Sequence, residues 1–207
     1  MHQARSQTSR DYLWNTAASL MSSLAVVIMG IAITRSGSDQ DSARHAYGIF
    51  TLALAIGQQY QTLGLYEVRT YHVTDVRRRF TFGTYLATRI LTCALMVAFI
   101  VGHAWASESS PLLVVVCLAL LRVFDAFEDV YYSEFQRCGR LDIAGRACFL
   151  RIFVTTFLWS GLYWATQSLM VATLVTFGVT VVVLAAAYGL PARGLFPLRP
   201  DWGGRAV

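Results

Sequence analysis

The sequence predicts an all-α, polytopic membrane protein built as a bundle of six transmembrane helices, and three observations support this fold class. Hydrophobic residues make up 56% of the 207 residues, and the mean hydropathy is +0.49. Only 14% of the residues are charged, against about 25% in soluble globular domains. Several stretches without charged side chains also exceed the roughly 20 residues that a helix needs to cross the hydrocarbon.

The first two predicted spans follow directly from such stretches. No charged or histidine side chain lies between Asp11 and Arg35, or between His45 and Glu67. Each stretch is long enough for one spanning helix. The first apolar run is also longer than the core of a signal peptide, and five more spans follow it, so we expect helix 1 to be retained.

The other four spans are less uniform. The sequence from Ile152 to Ala192 has no charged side chain, but residues 165–168 are mostly polar and predict a tight turn between two helices. Two earlier spans contain charged residues, one around Arg89 and one around Arg122. The six predicted helices cover residues 12–34, 46–66, 82–105, 111–132, 146–165 and 168–190.

The basic residues predict the orientation of these helices. The chain has no lysine, so all 17 basic residues are arginines. They cluster before helix 1, between helices 2 and 3, between helices 4 and 5, and after helix 6, whereas the alternate loops carry few. The positive-inside rule therefore predicts that both termini are cytoplasmic. Topology and anionic lipids explain the net charge of +5, so we expect no nucleic-acid partner.

Charged residues within helix 4 require shielding from lipid. An Arg or Asp at the centre of a spanning helix costs about 2.5–3.5 kcal/mol, whereas each Leu, Ile or Val returns only about 0.3–0.6 kcal/mol. Arg122, Asp125 and Asp129 follow i+3 and i+4 steps and share one helix face. We therefore expect them to pair with one another or to face protein or water.

Four other helices have similar polar faces, and together they predict a water-filled cavity open to the cytoplasm. Their candidate binding side chains are Asn15, Gln58, Gln61, Tyr85, Arg89 and Arg151, in addition to Arg122. Other interpretations remain open: Ser and Thr pack helices together, an arginine can form a purely structural ion pair, and a glutamine can cap a helix break near Gly57. The four cysteines have no metal-ligand or redox spacing. We predict no catalytic residue, no metal site and no cofactor.

Several segments resemble the amino-terminal lobe of bacterial polysaccharide flippases, the O-antigen and lipopolysaccharide translocases of the multidrug/oligosaccharidyl-lipid/polysaccharide exporter superfamily. These are "AYGIFTLALAIGQQYQTLGL", "RRRFTFGTYLATRIL" and "LLRVFDAFEDVYYSEFQRCGRLDIAGRACFLR". In that family a Tyr-Gly-x-Phe segment opens helix 2, and a charged run spans the end of helix 4 and the following loop. The matching residues are Tyr47, Gly48, Phe50, Arg122, Asp125, Asp129, Gln136, Arg137, Arg140 and Asp142.

The resemblance implies a transporter of a lipid-linked oligosaccharide, generally carried on undecaprenyl diphosphate, in the bacterial cytoplasmic membrane. Such a substrate would reach the cavity from the cytoplasmic leaflet. The arginines that would meet its diphosphate are Arg89, Arg122 and Arg151. The side chains that would meet sugar hydroxyls are Asn15, Gln58, Gln61 and Tyr85. Two roles stay open for Asp125 and Asp129: holding the arginines without substrate, or taking up a coupling proton or cation.

Members of this family usually have two six-helix lobes, and the sequence predicts one lobe over residues 1–192 and a tail or linker over residues 193–207. We therefore expect a fragment, a remnant, or a half-transporter that pairs with a second lobe or a second copy. Two other functions remain open. One is a non-transporting scaffold of polysaccharide assembly, and the other is a metal-dependent lipid-diphosphate transferase that uses Asp125, Glu128 and Asp129.

Overall fold

The computed structural model describes residues 2–36, 39–75, 77–106 and 112–203, with side chains described from residue 8 onward. Every regular element within these ranges is a helix, which confirms the all-helical class. The elements are α1 (His2–Ser36), α2 (Gln40–Leu65), α3 (Val68–Thr74), α4 (Phe82–Ala106), α5 (Leu112–Arg137), α6 (Leu141–Thr166), α7 (Leu169–Leu184), a π-helical turn (Ala185–Gly189) and α8 (Leu190–Arg193).

Among the described residues, three helices are long and apolar enough to cross a membrane: Thr8–Ser36, Phe82–Ala106 and Leu169–Arg193. Large apolar side chains such as Leu24 and Val182 are exposed on their outer faces. A continuous apolar surface of this kind suits contact with lipid tails better than contact with water. These features indicate a membrane protein. Over the residues described, the other three long helices, α2, α5 and α6, contain no comparably apolar stretch of this length.

The long helices agree with the predicted spans, with differences at their ends. The predicted fourth span ends at residue 132, but α5 continues to Arg137. The predicted fifth span begins at residue 146, but α6 begins at Leu141. In both cases the additional turns carry charged residues. The predicted start of the fourth span at residue 111 and the last four residues of the tail, 204–207, lie outside the described residues.

The packing separates two apolar layers along the bundle. α1 packs mainly on α6, and α2 packs on α4 and α5. One layer contains Phe50 and Trp159, whose ring centroids are 5.4 Å apart. The other layer surrounds Phe135 and Tyr188, near the opposite ends of the helices. Along α5, Glu128 and Asp129 lie between Ala126 of the first layer and Val130 of the second.

A short helix that the sequence did not predict follows α2. Tyr66 and Glu67 adopt left-handed conformations, with φ of 36° and 47°, and these end α2 and start α3 in a new direction. His72 of α3 is fully buried and its ring stacks on that of Tyr85 in α4 at 4.0 Å. His72 Nε2 also bonds to a carboxylate oxygen of Glu134 in α5 at 2.6 Å. α3 is therefore fixed against both helices.

Candidate functional site

Five helices surround an open cavity of about 460 Å³ in the part of the bundle near the start of α1. The polar walls come from α1, α2, α3, α5 and α6. Six of the nine candidates chosen from the sequence line it: Asn15, Gln61, Arg122, Asp125, Asp129 and Arg151. The lining residues that were not among those candidates include Arg69, Glu128 and Tyr132.

Arg151 is the most tightly held cation of the cavity. Its Nε and Nη2 donate to the two carboxylate oxygens of Glu128 at 2.6 and 2.7 Å. Nη2 also donates to Asp125 at 2.6 Å. The side chain of Arg151 is only 5% exposed, so its charge is compensated inside the protein by two carboxylates. Such two-pronged arginine–carboxylate pairs fix geometry strongly.

Arg122 is held more loosely in the same wall. Its Nη1 donates to Asp125 at 3.0 Å, and its side chain is 20% exposed. Its buried Nε has no hydrogen-bond partner among the described residues. Gly57 of α2 makes room for this side chain, because a Cβ there would lie 2.9 Å from Cγ of Arg122. Because the side chain of Arg122 is partly exposed and lines the cavity, its guanidinium can donate to a ligand there.

Arg89, a predicted ligand-binding residue, lies outside the cavity and is fully buried. Its Nη1 donates to the carbonyl oxygens of Gly64 and Leu65 at 2.5 and 2.9 Å, and its Nη2 donates to Asp129 at 2.6 Å. The last carbonyls of a helix lack partners within that helix. Arg89 supplies donors to two of these carbonyls at the end of α2, and it holds Asp129 from behind the cavity wall.

Arg69 faces the same carboxylate from inside the cavity. Its Nη1 lies 3.5 Å from Asp129, its Nη2 donates to Gln136 at 3.2 Å, and its guanidinium lies 4.5 Å from the ring centre of Tyr132. Its side chain is 47% exposed. From the sequence it counted only as a loop arginine, because α3 was not predicted. The neighbouring Val68 and His72, spaced four residues apart and both buried, are the helical signal.

The remaining candidates are divided between the cavity and other surfaces. Asn15 lines the cavity and accepts a hydrogen bond from the Tyr132 hydroxyl. Gln58 lies on an exposed face of α2 outside the cavity. Tyr85 stacks on His72 and donates to Asp75 at 3.2 Å, on a different surface of the protein. The structure thus does not bring Gln58, Tyr85 or Arg89 to the cavity.

An apolar crevice of about 70 Å³ adjoins the cavity. Arg122, Asp125 and Arg151 line both spaces. The rest of its lining is mostly apolar and includes Val26, Met29, Phe50, Leu54, Leu118 and Leu121, together with the hydroxyl side chains of Ser22, Thr155 and Thr156. Charged groups and the apolar crevice therefore meet at one place, which is the arrangement that suits an amphipathic ligand.

The charges of the cluster leave a small positive excess. Four arginines and three carboxylates belong to it: Arg69, Arg89, Arg122, Arg151, Asp125, Glu128 and Asp129. Of the arginines that face the cavity, Arg69 and Arg122 are the two with exposed side chains. The cavity is thus suited to an anionic group. No family model matches the chain, and no curated protein or solved structure matches it, so the functional argument depends on this geometry.

Proposed function

We propose that the chain is one lobe of a membrane transporter that moves a lipid-linked oligosaccharide, carried on undecaprenyl diphosphate, across the bacterial cytoplasmic membrane during polysaccharide, lipopolysaccharide or capsule biosynthesis. The observation that carries the proposal is the junction of the arginine-lined cavity with the apolar crevice. Arg122 offers a partly exposed guanidinium to a diphosphate. The crevice offers apolar walls to the first part of a prenyl tail.

In this proposal all six long helices span the membrane and both termini lie in the cytoplasm. The arginine distribution supports that orientation. The cavity lies beside Asn15, near the end of α1 that this orientation places at the cytoplasmic side. It would therefore accept its ligand from the cytoplasmic leaflet. The charged residues of α5 and α6 are shielded from lipid because they pair with each other across the two helices.

An exposed polar face on α2 supports the presence of a second lobe. The polar residues Thr51, Gln58 and Thr62 are exposed on one side of α2, and the apolar Ala55 lies between them on the same side. Glutamine side chains in contact with lipid lose hydrogen bonds with water, so such a face is expected to meet protein or a water-filled space. We infer that a second six-helix unit, or a second copy of this chain, covers this face and completes the transport pathway.

The ion pairs favour transport over metal-dependent transfer. Each carboxylate of the proposed transferase site is bonded to an arginine: Asp125 and Glu128 to Arg151, and Asp129 to Arg89. Carboxylates that hold a divalent cation with a lipid diphosphate direct their oxygens at the metal. Within the described ranges, no group of three His, Cys, Asp or Glu side chains is arranged to hold a metal ion.

Binding to the purified full chain tests the proposal directly. Farnesyl diphosphate serves as a short probe, with farnesol as the uncharged comparison. We expect Arg122→Ala to weaken diphosphate binding at least tenfold, because a hydrogen bond to a charged group contributes about 1.5–3 kcal/mol. Arg122→Lys should retain part of the affinity, and Arg44→Ala, in an exposed ion pair, should change nothing.

The same variants test transport in cells that depend on this chain. Arg122→Ala should cause lipid-linked saccharide to accumulate inside the cell and reduce surface polysaccharide, at unchanged levels of the protein in the membrane. A scaffold would instead show no diphosphate binding and would tolerate the substitution. Unchanged binding and unchanged export in Arg122→Ala would together refute the transporter proposal.

A further inference from the structure

A second concave site lies where the basic loop meets the start of α4. It has a volume of about 500 Å³ and is lined by Tyr71, Thr74, Asp75, Arg77, Arg79, Phe80 and Tyr85. It shares no lining residue with the cavity described above. Nothing in the proposed transport function uses this site.

Asp75 organises the loop that forms the site. One of its carboxylate oxygens accepts the backbone N–H of Arg79 at 2.9 Å, and the other accepts the backbone N–H of Phe80 at 3.1 Å and the hydroxyl of Tyr85 at 3.2 Å. The hydrogen bond from Arg79 is the main cause that lowers the pKa of Asp75. The carboxylate is therefore ionised and is occupied in holding the turn. Its negative charge opposes an anionic ligand, and two arginines outweigh it.

Three consecutive arginines occupy this loop, and the structure separates them into two kinds. Arg77 and Arg79 line the site, whereas Arg78 does not. Arg78 has a left-handed backbone, with φ of 49°, and its backbone N–H donates to the carbonyl oxygen of Asp75 at 3.0 Å, which closes a turn. Among the residues that the structure describes, no carboxylate lies within ion-pair distance of Arg77 or Arg79. Both guanidinium groups are thus available to an external anion.

The surroundings of the site favour a lipid over a free anion. Tyr71 is 74% exposed and Phe80 is 43% exposed, and both line the site. Phe82, two residues beyond Phe80, begins one of the three helices that are apolar enough to span a membrane. Exposed aromatic side chains beside arginines at a helix end are typical of the membrane–water interface. A ligand here would have its headgroup at the arginines and its tails beside α4.

We propose that this site binds the phosphate of an anionic phospholipid from the cytoplasmic leaflet, with Arg77 and Arg79 as the donors. Basic pockets at the cytoplasmic ends of spanning helices bind such headgroups through charge and hydrogen bonds. The inference depends on the membrane orientation given under the proposed function, but it does not depend on transport. Its role would be to hold the loop and the start of α4 at the membrane surface.

The test uses the purified full chain in phosphatidylcholine nanodiscs with increasing phosphatidylglycerol, and native mass spectrometry of retained lipid. Three variants are compared: Arg77→Gln, Arg79→Gln and, as a matched control in the same loop, Arg78→Gln. We expect each of the first two to weaken phosphatidylglycerol retention at least tenfold, the factor that a direct hydrogen bond to a charged phosphate contributes. Arg78→Gln should weaken retention by no more than about fivefold, the factor that one arginine near an anionic membrane surface contributes without a headgroup contact.

Three outcomes would overturn the proposal. Equal losses in all three variants would show diffuse attraction between the loop and the membrane instead of a built site. No preference for phosphatidylglycerol over phosphatidylcholine would show that no headgroup site exists. Binding of inorganic phosphate with displacement of the lipid would identify a site for a free anion. Farnesyl diphosphate binding through Arg122 should stay unchanged in Arg77→Gln, so this proposal and the transport proposal can fail separately.

Discussion

Replacing Arg89 with methionine tests whether this arginine stabilises the fold or binds the ligand. The substitution keeps most of the side-chain volume but removes three hydrogen bonds, two to the carbonyls of Gly64 and Leu65 and one to Asp129. Thr92 still donates to the Gly64 carbonyl at 2.8 Å. The Leu65 carbonyl and the Asp129 carboxylate would therefore lose their buried donor.

The magnitude follows from what remains around Asp129. Removing one partner of a buried ion pair costs about 3–5 kcal/mol, because the other charge stays buried without compensation. Arg69 remains 3.5 Å from Asp129 but is half exposed, so we expect a loss of about 3 kcal/mol, near the lower end. Arg89→Met combined with Asp129→Asn should recover about 1–2 kcal/mol of that loss, since the unpaired charge is then absent.

Unfolding in mild detergent, followed by tryptophan fluorescence, measures these differences. Arg44→Ala is the matched control, because its ion pair with Asp41 is exposed and should not contribute measurably to stability. Farnesyl diphosphate binding is measured on the same samples below their unfolding transition. If Arg89→Met keeps the original stability and loses diphosphate binding, Arg89 is a ligand-binding residue and the structural role assigned here is wrong.

Two further substitutions test the packing around this site. Gly64→Ala should destabilise the fold by about 1–3 kcal/mol, since its Cβ would lie 2.7 Å from Sδ of Met96. Gly102→Ala places its new Cβ with nothing within 4 Å, so it should not destabilise the fold. Thermal unfolding of the two variants checks this difference. Burial lowers the pKa of His72 despite its bond to Glu134, so the folded protein binds a proton there less readily than the unfolded chain. The free energy of unfolding should therefore fall as the pH drops below about 6.5. His72→Gln should reduce the difference between the free energies of unfolding at pH 5.5 and pH 7.5. An equal difference in the variant and the original protein would contradict this.

The positions of the long helices could be predicted from the sequence because one energetic effect, the cost of placing a charge in hydrocarbon, determines them. The cost of a charge in hydrocarbon sets the limits of charge-free stretches, so the predicted span 82–105 nearly coincides with α4 (Phe82–Ala106). The same rule placed the predicted end of helix 4 at residue 132, earlier than the end of α5. Glu134 and Arg137 lie in the last turns of α5 and bond to each other at 2.8 Å, so the helix continues beyond residue 132 although these turns are charged.

The sequence predicted the candidate site only in part. Helical periodicity shows which residues share one face of a helix, but it does not show which helix packs against that face. It placed Arg122, Asp125 and Asp129 on one side of α5, and all three line the cavity. It could not show that Asp129 bonds to Arg89 of α4, since that contact depends on how α4 and α5 pack. Glu128 was not selected as a cavity residue for the same reason. Its bond to Arg151 joins residues 23 positions apart in the chain.

Under the proposed function, an anionic ligand would bind in the cavity by exchange with one of its carboxylates. Asp125 contacts Arg151 at 2.6 Å and Arg122 at 3.0 Å, and Arg151 also keeps both oxygens of Glu128. The bond from Asp125 to Arg122 is the longer and more exposed, so a diphosphate should displace Asp125 from Arg122 and leave Arg151 in place. Asp125→Asn removes the competing charge, and we expect it to increase farnesyl diphosphate affinity about fivefold. Weaker binding in Asp125→Asn would show instead that Asp125 holds the arginines in the geometry that the ligand needs.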